Sequence, residues 1–119
     1  MLVRENHIAN DIIRGDVNMS SNNDKLNKVI HECKETGVEL PESMLSITEN
    51  LLSSSRLPWA VFPTFRKSIQ IEYETEDSYT EFEIFDDKII MLRMTGDHID
   101  EEREVTVDEM YETVWGLEK

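Results

Sequence analysis

The stretch from Ile69 to Ile84 constrains the fold most strongly, because apolar and polar residues alternate along it on either side of a turn at 75–78. Side chains of a β-strand point alternately to its two faces, so this pattern predicts two half-buried antiparallel strands. Pairing Glu74 with Tyr79 gives a consistent register. It places these residues opposite each other: Ile71 and Phe82, Ile69 and Ile84, Glu72 and Glu81, Gln70 and Glu83.

A third strand is predicted over Ile89 to Met94. A two-residue loop would pair Phe85 with Lys88, whereas a three-residue loop pairs Phe85 with Ile89 and sets Arg93 opposite Glu81. We favour the three-residue loop, because it relieves the repulsion of like charges on that face. A short fourth strand is predicted over 103–105, and the residues 98–102 are predicted to form a loop.

Three helices are predicted from apolar residues at helical spacing. The first is capped by Asp24 and stopped by Gly37, and the second begins at Pro41. The last is capped by Thr106 with Glu109 as its capping-box partner. Its predicted apolar stripe is Val107, Met110, Tyr111, Val114 and Trp115. The pattern leaves open whether this helix packs beside the other two or covers the second face of the sheet.

The predicted fold class is therefore α+β, with an N-terminal helical hairpin, an antiparallel β meander of three to four strands and a C-terminal helix. Residues 24–119 are predicted to form a single domain, a size that suits one hydrophobic core. Residues 1–23 are predicted to be a loose arm, either disordered or an extension that precedes a start at Met19.

The chain is strongly acidic, with 26 Asp and Glu against 12 Lys and Arg and a formal charge of −14. Such a charge repels phosphate backbones and anionic lipid, so direct binding to nucleic acid or membrane is not expected. It attracts basic surfaces, so a basic protein is the expected partner. Acidity that merely keeps a small protein in solution is the competing explanation.

Cys33 is the only cysteine, which rules out an intramolecular disulfide and suits a cytoplasmic protein. No motif for nucleophilic catalysis or phosphate binding is present, so the chain is predicted not to be an enzyme and to carry no cofactor or metal. Two groups of residues leave a small metal-dependent hydrolase open as an alternative. One is Glu72 opposite Glu81, and the other is the acidic loop around His98.

The candidate site is the second sheet face, where carboxylates surround aromatic side chains. Six residues are predicted to bind a partner: Glu72, Glu74, Tyr79, Glu81, Glu83 and Phe85. Like charges opposite each other destabilise a sheet, and a basic partner would relieve that cost. In the alternative interpretation, the last helix covers this face, and Arg66, Lys67 and Arg93 neutralise it.

The segments 58–64, 68–74 and 81–84 carry the pattern Pro-x-x-Val-x-Pro-Thr, Ile-Gln-Ile-Glu-Tyr and Glu-Phe-Glu-Ile. This pattern resembles a family of short bacterial and phage proteins of uncharacterised function, over roughly a third of the chain. The resemblance implies a bacterial or phage origin, where small acidic proteins are often inhibitors such as antitoxins, immunity proteins or anti-CRISPR proteins. It implies no site residue.

The predicted function is an acidic protein-binding module that inhibits a nuclease or other effector by masking its basic surface. One alternative is the metal-dependent hydrolase. Another is a homodimeric accessory protein that uses the second sheet face as its own interface.

Overall fold

The computed structural model describes residues 21–119, and the predictions for the arm before residue 21, including a start at Met19, lie outside these residues. The described chain is α+β, with three helices and five strands. The elements in chain order are α1 (Asn22–Glu35), α2 (Glu42–Ser54), β1 (Ala60–Pro63), β2 (Ile69–Glu74), β3 (Ser78–Ile84), β4 (Ile89–Thr95), β5 (His98–Val105) and α3 (Val107–Leu117).

The strands form one antiparallel sheet in the order β1-β2-β3-β4-β5, a meander in which each strand pairs with its neighbours in sequence. The predicted pairing of β2 with β3 is confirmed along its whole length, from Ile69 opposite Ile84 to Glu74 opposite Tyr79. At most four strands were predicted, and the sheet has five, because β1 was not anticipated.

The predicted register of the next hairpin is wrong. Ile84 lies opposite Ile89, and the Phe85 amide donates to the Lys88 carbonyl at 2.8 Å, so the loop has two residues. Arg93 therefore lies opposite Thr80, and Leu92 is the residue opposite Glu81. The prediction of a loop over 98–102 is also wrong, because this segment belongs to the edge strand β5.

The prediction that Asp24 caps helix α1 is wrong, because the helix and its N-cap lie three residues earlier. Ser21 is its N-cap, and its hydroxyl accepts from the amide of Asp24 at 3.1 Å while the Asp24 carboxylate accepts from the Ser21 amide. Residues 21–23 thus belong to the helix and its cap, not to an arm. Gly37 takes the predicted left-handed conformation after the helix, with φ at 78°.

All three helices pack on one face of the sheet, and a single cluster of buried side chains joins them to it. Helix residues of this cluster include Leu26 of α1, Met44 of α2, and Met110 and Val114 of α3. The sheet contributes Ile69, Ile71, Phe82, Ile84, Ile89, Met91 and Val105. The open question about α3 is thereby answered: it packs on the same face as the other helices.

The predicted capping box of α3 is confirmed, with Thr106 and Glu109 bonded reciprocally. Its predicted apolar stripe is only partly buried, since Trp115 is 59% exposed and Val107 is 38% exposed. Cys33 is buried, as an apolar position in a helix predicts. Within residues 21–119, no helix is long and apolar enough to cross a membrane.

Candidate functional site

The predicted site residues come together on the sheet face opposite the helices, here called the second face. Strand β2 contributes Glu72 and Glu74, β3 contributes Tyr79, Glu81 and Glu83, and Phe85 follows β3 directly. They share this face because residues of one strand that are an even number of positions apart point to the same side of the sheet. Residues directly opposite each other on β2 and β3 also share a side. Among residues 21–119, no helix lies over this face.

The register adds carboxylates that the sequence analysis missed. Leu92 lies between Glu81 and Glu102, and Ile90 lies between Glu83 and Glu104, so β5 extends the acidic surface across β4. Glu102 and Glu104 alternate with Arg103 and Val105. This alternation could have extended the predicted strand over 103–105 back to Glu102. The centre of the second face is therefore apolar, and acidic residues flank it on both sides.

The second face is less open than its polar sequence predicts. Glu72 is 2% exposed, Glu83 4% and Tyr79 8%, whereas Glu74, Glu81 and Phe85 are half-buried. Three of the six residues predicted to bind a partner, Glu72, Tyr79 and Glu83, are therefore buried. A partner that meets this face reaches the half-buried residues first, together with the exposed Glu102 and Glu104 of β5.

Glu83 is held by two donors from the loop between β1 and β2. The Ser68 hydroxyl donates to one carboxylate oxygen at 2.5 Å, and the Arg66 guanidinium forms an ion pair with the other. Thr64 and Ser68 are joined by a hydroxyl hydrogen bond, and the Thr64 hydroxyl accepts from the Arg66 amide at 3.1 Å. These bonds satisfy a buried carboxylate and fix the loop to β3.

Arg66 thus neutralises part of this face, as the alternative interpretation predicts. Its guanidinium carbon also lies 5.8 Å from the ring centroid of Phe85, and the Lys88 ammonium lies 5.1 Å from the same centroid. Arg93 does not take part, because the two-residue loop places it on the helix-covered face. Phe85 therefore lies among cations, whereas the carboxylates cluster toward the other end of β3.

At that end, Tyr79 donates its hydroxyl to Glu81 at 2.6 Å, and Gln70 donates to Glu72 at 2.6 Å. Burial raises the pKa of Glu81; the hydrogen bond from Tyr79 lowers it, while the charges of Glu83 and Glu102 raise it. The pKa of Tyr79 is raised as well, by burial first and then by the charges of Glu81 and Glu72. The phenol therefore remains a neutral donor that holds Glu81 in place.

The burial and crowding of Glu81 make the stability of the fold depend on pH. Because the pKa of Glu81 lies above its ordinary value of 4.5, the folded chain holds this proton more tightly than the unfolded chain. The free energy of unfolding should then fall as pH rises from 4.5 through the folded pKa. The variant Glu81→Gln lacks this loss, so its stability relative to the native chain should increase with pH, as urea unfolding across this window would measure.

Glu109→Gln is the matched control with the opposite sign. The backbone hydrogen bond at Thr106 and the one from Arg103 lower the pKa of Glu109, so its stabilising effect is present above 4.5 and is lost as pH falls. The variant should therefore lose stability relative to the native chain as pH rises. Parallel pH profiles for the two variants would contradict the assignment of Glu81.

The residues considered for metal chemistry do not converge. The Nε2 atom of His98 lies 3.7 Å from Oδ1 of Asp100. The Nε2 atom of His31 lies 2.9 Å from Oε1 of Glu35 on an exposed helix surface. In the part of the chain from 21 to 119, no three His, Cys, Asp or Glu side chains are grouped so that they could hold a metal ion. Glu72 and Glu81 lie opposite each other in the register, but Glu72 is buried.

Comparisons with known proteins add no relative. No family model matches the chain, and no curated protein and no solved structure matches it. The resemblance to short bacterial and phage proteins therefore stays a prediction from the residues that carry it.

Proposed function

We propose that this protein is an acidic protein-binding module that inhibits a basic partner by covering its positively charged surface. A nuclease or another effector that binds nucleic acid is the class of partner that such a module fits, since its working surface is basic. The second face would meet this surface.

The observation that carries the proposal is the row of carboxylates across the second face: Glu81 lies opposite Glu72 on one side and, across Leu92, in line with Glu102 on the other. Burial first, and then the charges of Glu83 and Glu102, raise the pKa of Glu81, in keeping with this crowding. Carboxylates that repel one another on a sheet weaken it. A cationic surface placed against Glu81 and Glu102 would remove this repulsion, so binding is favoured by the same charges that weaken the free protein.

The geometry suits a protein partner. Leu92 and Ile90 lie half-buried between the carboxylates of β3 and those of β5. An apolar centre with a charged periphery is the usual anatomy of an interface, in which the centre provides affinity and the charges provide steering. Tyr79 and Glu83, which are buried, would position Glu81 and the β1–β2 loop rather than contact the partner.

The first test is affinity purification of the tagged protein from its source cells at low salt, followed by elution with rising salt. Recovery of a basic nuclease or effector that salt releases is the expected result. Recovery of the protein alone would contradict the proposal. It would favour the homodimer, in which case Leu92→Asp should make the protein monomeric.

A pair of variants then tests the surface. Glu102→Gln with Glu104→Gln removes two charges from the second face, and Glu42→Gln with Glu49→Gln removes two from exposed positions of α2. The first pair should weaken binding to the recovered partner by about tenfold, mostly through slower association, and the second pair by less than about twofold. Calorimetry and stopped-flow measurements would check this, and equal effects of the two pairs would place the contact elsewhere.

A further inference from the structure

Helix α3 carries an aromatic pair beside its buried residues, in which Tyr111 packs against the core and Trp115 is largely exposed to solvent. Trp115 is 59% exposed and Tyr111 is half-buried, with ring centroids 6.0 Å apart and ring planes at 43°. Met110 and Val114, at 0% and 1% exposure, fasten the helix to the core. The aromatic pair is therefore displayed by a helix that is itself fixed.

Two carboxylates flank the rings. Asp108 and Glu112 line a shallow concave surface together with Tyr111 and Trp115. Asp108 lies three and four positions before Tyr111 and Glu112, and Trp115 lies four and three positions after them, so the four residues occupy one side of the helix. Both carboxylates are exposed and belong to a chain with a formal charge of −14.

The combination of two aromatic rings with two carboxylates favours a cationic ligand. The face of an aromatic ring attracts a cation, and tryptophan does so most strongly. Carboxylates beside the ring attract the same cation, and a planar guanidinium can stack on the ring while it donates to the carboxylates. Trp and Tyr are also the residue types that most often dominate the energy of protein interfaces.

We propose that the surface formed by Asp108, Tyr111, Glu112 and Trp115 is a docking site for an arginine-bearing segment of a basic protein, with Trp115 as its anchor. The inference rests on the proposed function, because it adds a contact surface for the same class of partner. This surface lies on α3 and not on the second face, so the two can be tested separately.

Charge decides between this occupant and a second copy of the chain. A twofold dimer brings each patch against its own copy. Asp108 and Glu112 would then face the carboxylates of the other copy, and like charges brought together in an interface are unfavourable. An arginine side chain instead meets two carboxylates and two rings of complementary character.

The test uses hexa-arginine and hexa-lysine peptides at low salt, with affinity measured by calorimetry and the contact mapped by the backbone and indole NMR signals of the labelled protein. Hexa-arginine should bind more tightly than hexa-lysine and shift the indole signal of Trp115. Trp115→Ala should weaken hexa-arginine binding by at least about fivefold. Phe65→Ala is the matched control, because Phe65 is fully exposed and lies outside α3; it should change affinity by less than about twofold.

Equal binding by Trp115→Ala and the native chain would overturn the proposal, since the peptide would then be responding to the overall charge. A native dimer that Trp115→Ala converts to a monomer would also overturn it, because a second copy would be the occupant. Failure of the lysate purification with success of the peptide experiment would remove the proposed function and keep the docking site. If Trp115→Ala did not weaken hexa-arginine binding but the lysate purification still recovered a salt-released partner, the docking site would be contradicted and the proposed function would stand.

Discussion

Trp59→Ala is expected to lower the free energy of unfolding by about 3–5 kcal/mol, the range observed when a fully buried aromatic side chain is truncated to alanine. Trp59 is 0% exposed, and its ring centroid lies 5.8 Å from that of Tyr73 and 6.0 Å from that of Phe82. Its indole N–H donates to the Ser55 hydroxyl at 2.8 Å. Truncation would leave a cavity among the helices and the sheet and would remove this donor.

Trp115→Ala supplies the matched control, since it is the same substitution at a residue that is 59% exposed. It should change the free energy of unfolding by no more than about 0.5 kcal/mol. Urea unfolding followed by circular dichroism would measure both variants. Equal losses of stability in the two variants would mean that Trp59 does not occupy a core position.

The confirmed hairpin shows what the sequence can specify. Between Ile69 and Ile84 the alternation, the turn and the sorting of apolar and polar pairs onto separate faces all agree on one register, and a slip by one residue would move Ile71 and Phe82 to the wrong face. Such agreement between independent signals makes the β2–β3 pairing predictable. The capping box of Thr106 and Glu109 was predictable for the same reason, because the side chain of each residue accepts from the backbone amide of the other.

The next hairpin was mispredicted because its signals disagreed. Ile89, Ile90, Met91 and Leu92 are all apolar, so a shift by one residue leaves an apolar side chain on each face. The choice then depended on Arg93 relieving the charge of Glu81. In the structure the Tyr79 hydroxyl donates to Glu81, and this hydrogen bond was not visible in the charge pattern.

Strand β5 was missed over most of its length because it lies at the edge of the sheet. The residues from His98 to Glu104 are mainly charged and exposed, so the alternation that marks a half-buried strand is weak there. Charged edge strands are common, since charge discourages unwanted pairing with another chain. The candidate site was therefore predicted without Glu102 and Glu104, although the six residues predicted for it do meet at one face or its end.

Arg66→Met is expected to lower the free energy of unfolding by about 2 kcal/mol, within the range for hydrogen bonds to charged groups. Arg66 is an exposed side chain, yet it forms an ion pair with Glu83, whose side chain is only 5% exposed. Its removal would leave a buried carboxylate with the Ser68 hydroxyl as its remaining donor from the β1–β2 loop. The cost comes from the buried charge rather than from the surface cation.

The double variant Arg66→Met with Glu83→Gln separates these two origins. A neutral amide at residue 83 no longer needs a cation, so the second substitution should restore most of the stability that the first removes. Lys67→Met is the matched control: it removes an adjacent cation from the same loop, and it should cost less than about 0.5 kcal/mol. Urea unfolding of all four variants, including Glu83→Gln alone, gives the coupling energy. Additive effects of the Arg66 and Glu83 substitutions would show that this ion pair does not hold the loop to β3.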